Sequence, residues 1–284
     1  MTVAVLVPHD VPTVLNYYVP DPESDEPPHI YIIDAPAGKK RDNIGREPHD
    51  VVIHDARGKE KEYDLSLDTS GFQFVKHVSQ EKEFDDDERV KNVYYKEVEE
   101  LLKKETGAKR VFVFDHTLRR TEPDFVSPEG KVIRGPAEAV HVDQTYEASV
   151  ARVHRHLGDE AERLLKGRVR IINVWRPIHN PVAHRPLTVS DWRTVDKEHD
   201  LVPVRFIFPD QRLAGVYSVR YNANHKWYYL SDQTPDEVTL IKCYDSEVDR
   251  ARFTPHTAFL DKTSPKDAPY RESIELRCLV FDTE

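Results

Sequence analysis

The chain has 284 residues, 38% apolar and 32% charged, with 41 Lys and Arg against 51 Asp and Glu and a formal net charge of −10. A length of this order makes one large domain or two small ones, enough to bury about three quarters of the unfolded surface. The acidic balance excludes a non-specific nucleic-acid binder, which needs a basic face, and no apolar run approaches the ~18 residues of a membrane span. The opening MTVAVLVPHD has neither the basic start nor the long apolar stretch of a secretory signal, so a soluble cytoplasmic protein is expected. Cys243 and Cys278 form no CxxC pair, and two buried thiols are expected rather than a disulfide or a thiolate zinc site.

In chain order, residues 1–80 alternate short apolar runs with turn signals. Val51-Val52-Ile53, a turn from Asp55 to Gly58 and Glu62-Tyr63-Asp64-Leu65 read as a hairpin. A helix follows: Asp85, Asp86 and Asp87 offer caps and negative charge at its start, Val90, Val93, Tyr94, Val98, Leu101 and Leu102 recur at helical spacing, and Gly107 stops it. Arg110 to Phe114 is a strand. Residues 147–166 form a second helical region, broken at Gly158-Asp159 with Asp159 capping the second piece. Six strands then follow: Val169–Val174, Val202–Phe208, Val216–Tyr221, Trp227–Leu230, Val238–Cys243 and Ile274–Phe281. Short late strands unbroken by helices predict an antiparallel sandwich or jelly roll, mainly β with flanking helices. There is no internal repeat and no GxGxxG or GxxxxGK[ST] motif, which excludes solenoids and the common nucleotide folds.

Of the 14 histidines, only His141 is followed two residues later by an acid, Asp143. In Ala139-Val140-His141-Val142-Asp143-Gln144 the period of two puts His141 and Asp143 on one face and both valines on the other. One strand can so supply two adjacent metal ligands. Two imidazoles and one carboxylate on one face of iron(II) leave three positions open, which suits oxygen and an organic co-substrate. The third ligand is assigned to His256, in Phe253-Thr254-Pro255-His256-Thr257-Ala258-Phe259, where the alternative is a buried histidine bonded to a carbonyl.

Further on, Arg271 and Ser273 share a strand face and form a receptor for the far carboxylate of a dicarboxylic co-substrate, since Arg–carboxylate pairing is planar and bidentate. The alternative is a solvated face with Glu272 or Glu275 neutralising the arginines. Ile274, Leu276, Cys278 and Val280 fill the other face, and Arg277 is the second choice of anchor. Arg176 and His116 are candidate substrate contacts, each with a structural role as the alternative; Arg119 and Arg120, beyond the 110–114 strand, have the same two options. His154 and His156 point apart on a helix, against a zinc site. Lys242 and Asp245 are read as structural.

His-x-Asp, a distant His and Arg-x-Ser, in that order, resemble the iron(II)/2-oxoglutarate-dependent dioxygenases. The wording of FDHTLRR (114–120), GPAEAVHVDQTY (135–146), NVWRPI (173–178), YDS (244–246), FTPHTAF (253–259) and RESIELR (271–277) is similar to the fungal AsaB hydroxylase/desaturase and gibberellin desaturase-like family, as are LDTSGF (67–72) and the YY-x-EVEELL helix. The resemblance spans nearly the whole chain. It implies a double-stranded β-helix over 1–284, with 1–109 as a β/α extension packed on a 110–284 core that carries the helical insert 147–166. The long stretch between Asp143 and His256 is assigned to that insert and to a loop around Pro177–Asp191.

The resemblance further implies Fe(II), 2-oxoglutarate and O2 as cofactor and co-substrates. His141, Asp143 and His256 would hold the iron, Arg271 with Ser273 the C5 carboxylate, and the protein's task would be positioning and exclusion of water. The implied activity is oxidation of an unactivated C–H bond of a small molecule in secondary-metabolite biosynthesis, by hydroxylation, desaturation or ring closure. Amino acids and small carboxylic acids are among the implied substrates, without nucleic acid or membrane, and the oligomeric state is left open. The rivals are a cupin-type isomerase or hydrolase and a catalytically silent subunit.

Overall fold

Residues 9–120 and 135–284 are described by a computed structural model; the first eight, which carry most of the reading against a secretory signal, lie outside them. Fourteen strands stand among the described residues: β1 (Val11–Pro20), β2 (His29–Tyr31), β3 (Ile44–Asp55), β4 (Phe72–Lys76), β5 (Arg110–Arg120), β6 (His141–Val142), β7 (Val169–Pro177), β8 (Leu187–Ser190), β9 (Leu201–Ile207), β10 (Gly215–Val219), β11 (Trp227–Tyr229), β12 (Glu237–Asp245), β13 (His256–Ala258) and β14 (Glu272–Phe281). They build a five-stranded sheet, β4-β12-β7-β14-β5, and a nine-stranded sheet, β1-β3-β11-β8-β13-β6-β10-β9-β2.

From β5 to β8 the chain changes sheet at every step, and from β11 to β14 it does so again in reverse order. β5 pairs with β14, β6 with β13, β7 with β12 and β8 with β11, all antiparallel. The two halves wind round each other as a double-stranded β-helix, the jelly roll expected. Residues of the N-terminal stretch extend both sheets: β3 lies on β11, β2 on β9 and β4 on β12.

Three local expectations change. The hairpin of 51–53 with 62–65 does not form: β3 pairs with β1, whose Val11, Leu15 and Tyr17 supply a buried stripe, while the charged run before Leu65 coils into turns held by Tyr63 N–Lys59 O (3.0 Å) and Leu65 N–Glu60 O (2.9 Å). The loop assigned to Pro177–Asp191 contains the core strand β8; the β9–β10 hairpin between β8 and β11 accommodates further length. Asp159 does not cap the helix after it, because a tight turn at Gly158–Glu160 comes first and no side chain caps that helix.

The first helix starts where Asp86 accepts from the backbone N–H groups of Glu88 (2.9 Å) and Arg89 (3.2 Å). It runs through α1 (Asp87–Arg89), a π turn at Val90–Tyr94 and α2 (Tyr95–Thr106), and ends at Gly107 with φ 70°. Val90, Tyr94, Val98, Leu101 and Leu102 pack on Ile274, Leu276, Cys278 and Val280, the outer face of β14. At the opposite side, α3 (Tyr146–Leu157) and α4 (Ala161–Leu164) bring Val153, Leu157, Ala161 and Leu164 to Val169, Ile171, Leu279 and Phe281.

The inner face of β14 therefore changes character along its length. Leu279 and Phe281 belong to that apolar plug, whereas Ser273, Glu275 and Arg277 are polar and, with Arg271, lead towards the open end. Cys243 and Cys278 are buried free thiols in apolar clusters on opposite faces of the five-stranded sheet, as expected. Lys242 is structural, its Nζ held at 2.7 Å by both Asp68 and Asp245.

Candidate metal centre

The sheet register assembles the centre. His256 on β13 is the direct cross-strand partner of His141 on β6, so their side chains rise on one face, with ring centroids 4.4 Å apart. Asp143 follows two residues after His141. Its Oδ1 lies 3.3 Å from His141 Nε2 and 3.8 Å from His256 Nε2. One donor atom from each of the three lies within 4.8 Å of the other two.

The second nitrogen of each ring fixes what the first can do. His141 Nδ1 lies 2.8 Å from Ala139 O and His256 Nδ1 3.0 Å from Thr254 O. Each Nδ1 therefore carries a proton, and in the neutral ring each Nε2 presents a lone pair to the common centre. Two lone pairs facing a carboxylate oxygen repel one another unless a cation joins them, so this donor set fits a metal ion. Burial pushes His256 down to about 4, helped by His141, which keeps its ring in the neutral, ligating form. For His141 burial opposes charge, but the hydrogen bond and charge of Asp143 outweigh it and raise the pKa. Asp143, although buried, is held well below the usual carboxylate range by Arg277, His141 and His256.

A layer of polar side chains orients Asp143. Asn173 on β7 donates to its Oδ2 at 2.7 Å and to Glu275 Oε1 at 3.0 Å. Arg277 places Nε 3.1 Å from Asp143 Oδ2, Nη2 2.8 Å from Glu275 Oε1 and Nη1 2.9 Å from Thr117 Oγ1. With both carboxylates on it, Arg277 is a support for Asp143 rather than an open anion receptor. Sequence reasoning missed Asn173, Trp175, Asp115 and Thr117 and considered Glu275 only in the alternative of a solvated, charge-neutralised face. Parity along β7 would have found the first two: Asn173 stands opposite Arg277 and Trp175 opposite Glu275, while on the other side a bulge in β5, which alternation does not reveal, sets Asp115 opposite Arg277 and Thr117 opposite Glu275.

Two spaces meet at the centre. A cavity of about 670 Å³ reaches His141, Asp143, Arg119 and Arg277 from one side. A smaller space shares those four residues and continues past His256, Trp175 and Glu275 to Arg271. Arg271 is buried, donates to Arg185 O at 2.6 Å and lies 5.5 Å from the Trp175 ring. Burial, with the charges of Arg119 and Arg185, pulls it down to about 9. Ser273 is buried on the same strand face but does not itself line that space.

Arg176 and His116 are corrected to structural roles. Strand pairing turns both outwards, Arg176 opposite Ile274 and His116 opposite Leu276, under the first helix. Arg176 donates to Tyr94 Oη (2.9 Å) and His77 O (2.9 Å), and also to Pro235 O. His116 Nδ1 lies 2.7 Å from Tyr95 Oη, and its Nε2 3.2 Å from Asp87. Arg176→Met strands these acceptors in the interior and is expected to lower stability by about 2–4 kcal/mol, read as the denaturation midpoint, with 2-oxoglutarate affinity unchanged. Lost affinity at unchanged stability would return Arg176 to the site.

Comparison with known proteins agrees with this geometry. A family model described as an oxidoreductase/YMDC permease-like domain matches residues 15–281. The Fe(II)/2-oxoglutarate-dependent dioxygenase nvfI of Aspergillus novofumigatus is 37% identical over 88% of this chain and 90% of its own. The hydroxylase/desaturase efuI of Hormonema carpetanum is 37% identical over 99% and 98%. A solved structure of the iron and alpha-ketoglutarate-dependent endoperoxidase NvfI superposes with a TM-score of 0.85 at 34% identity, covering 96% of this chain and 98% of the other. By this similarity over nearly its full length, the chain belongs to the fungal hydroxylase/desaturase family of iron(II)/2-oxoglutarate-dependent dioxygenases.

Proposed function

We propose that His141, Asp143 and His256 hold iron(II), that Arg271, with Ser273 beside it, receives the C5 carboxylate of 2-oxoglutarate, and that the large cavity admits the primary substrate. The chain is an oxidoreductase that uses iron(II), 2-oxoglutarate and O2 to oxidise a small molecule in fungal secondary metabolism. The cross-strand pairing of His141 with His256, two residues from Asp143, is the observation that carries the assignment. Iron(II) and 2-oxoglutarate, when bound, would supply the oxidising power: the co-substrate gives up two electrons on becoming succinate and CO2 and the substrate gives up two, which together reduce O2, one oxygen atom going to succinate and the other to a product hydroxyl or water.

The residues of the chain do the rest. The carbonyls of Ala139 and Thr254 set both imidazole tautomers, and Asn173 and Arg277 keep Asp143 ionised and aimed. Arg271 sits beyond the three ligands in a narrow, buried space, so a five-carbon diacid anchored there would direct its keto-acid end back to them. The rival cupin-type isomerase or hydrolase needs no dicarboxylate anchor, and the family relationship does not favour it. Succinate release with iron(II), ascorbate and 2-oxoglutarate, screened against amino acids and small carboxylic acids, tests the reading. Substrate-stimulated succinate that depends on both iron and O2 is expected; turnover of any substrate without 2-oxoglutarate would contradict it.

A further inference from the structure

The cavity leading to the centre is cationic, against the −10 charge of the whole chain. Among the described residues its wall carries Arg46, Arg119, Arg152, Arg155, Arg212 and Arg277 against the carboxylates of Asp115, Glu138 and Asp143. Those three carboxylates are already engaged, Asp143 and Asp115 by Arg277 (3.1 and 3.4 Å) and Glu138 by Arg185. Arg152 and Arg155 stand one turn apart on α3, on the same side of the helix. Arg152 is half-buried, gives its Nε to Gln144 Oε1 at 3.3 Å and lies 4.7 Å from the Phe114 ring; Arg155 donates to Leu213 O at 3.3 Å. Among the described residues neither ion-pairs with a carboxylate.

Two guanidiniums one turn apart, one of them partly withdrawn from water, are an unfavourable pair until an anion joins them. Burial, with the charges of Arg155 and Arg277, already pulls Arg152 down to about 10. The same cavity is lined by Ile30, Ile32, Phe206, Phe208 and Val216, which suit an apolar skeleton. We propose that the primary substrate is an amphiphilic oxyanion, a largely apolar molecule whose carboxylate or phosphate is gripped by Arg152 and Arg155 while its skeleton reaches the centre. The proposal rests on the iron/2-oxoglutarate reading above and names the substrate class for it. A zwitterionic amino acid fits less well, because its ammonium group finds the carboxylates of the wall engaged. This anion is distinct from the co-substrate, whose anchor Arg271 lines the smaller space and not the large cavity.

The test is isothermal titration under argon of the full chain loaded with iron(II) and 2-oxoglutarate, using 4-phenylbutanoate, 4-phenylbutyl phosphate and methyl 4-phenylbutanoate as probes. The preferred anion is expected to bind roughly tenfold or more tighter than the neutral ester. Arg152→Gln should remove most of that preference while leaving the affinities for the ester and for 2-oxoglutarate within about twofold, which a merely structural role would not do; Arg152→Lys should keep part of it. A tighter phosphate assigns the anion as a phosphate and a tighter carboxylate as a carboxylate, and both support the proposal. Equal binding of ester and anions, no binding of either anion, or a full preference retained in Arg152→Gln would overturn it. Titration of 2-oxoglutarate alone on the same protein reports on the underlying reading; should it fail to bind, the probe preference is measured on the unloaded chain.

Discussion

His256→Ala is expected to yield a folded chain that no longer retains iron(II) and releases no succinate. The substitution removes one of three donors whose geometry comes from strand register, and His141 with Asp143 alone offers two adjacent ligands. Losing a whole ligand should weaken binding by more than the 10–100-fold typical of disturbing a ligand's supporting partners. The fold should survive, because what is lost beside the ring is one hydrogen bond to Thr254 O, worth about 1 kcal/mol. Equilibrium dialysis against iron(II) under argon, with thermal unfolding as control, measures both effects. Stoichiometric iron in this variant would show that the third ligand lies elsewhere.

Arg271→Ala should raise the KM for 2-oxoglutarate by about 10–150-fold, the equivalent of 1.5–3 kcal/mol for hydrogen bonds to a charged group, and change the KM for the primary substrate far less. Arg271→Lys keeps the charge but loses the planar fork, so it should recover only part of the affinity. Arg277→Ala separates the two candidate anchors. Because Arg277 supports Asp143 at 3.1 Å and Glu275 at 2.8 Å, its loss should weaken iron binding before it touches 2-oxoglutarate. A selective rise in the 2-oxoglutarate KM in Arg277→Ala, with Arg271→Ala unaffected, would exchange their roles.

How much of this was legible depended on whether a signal was local. The adjacency of His141 and Asp143 on one strand face could be read from period-two spacing, and the outward face Ile274-Leu276-Cys278-Val280 from simple alternation, so β14 and its inner arginines were found. The helix at 87–106 announced itself through Asp86, its apolar spacing and Gly107. Non-local pairing was not legible. Nothing near Val51–Ile53 says that its partner is β1 rather than the following segment, and β8 is too short and polar to show an alternation. Arg176 and His116 were misplaced because the strands holding them run on past the apolar stretch, β7 to Pro177 and β5 to Arg120: parity along β7 turns Arg176 outwards, while a bulge in β5 opposite Arg277–Cys278 shifts the alternation and turns His116 outwards. Parity along β7 places Asn173 and Trp175 on the inner face, whereas Asp115 and Thr117 come to stand opposite Arg277 and Glu275 through the β5 bulge.

The claim beneath all of this is that two imidazoles and one carboxylate share a single metal ion. Crystals of the chain grown with iron(II) and 2-oxoglutarate without oxygen, with diffraction collected at the iron absorption edge, address it directly. One anomalous peak is expected, within bonding distance of His141 Nε2, His256 Nε2 and an Asp143 carboxylate oxygen. A peak held by other side chains, or none near these three, would contradict the account.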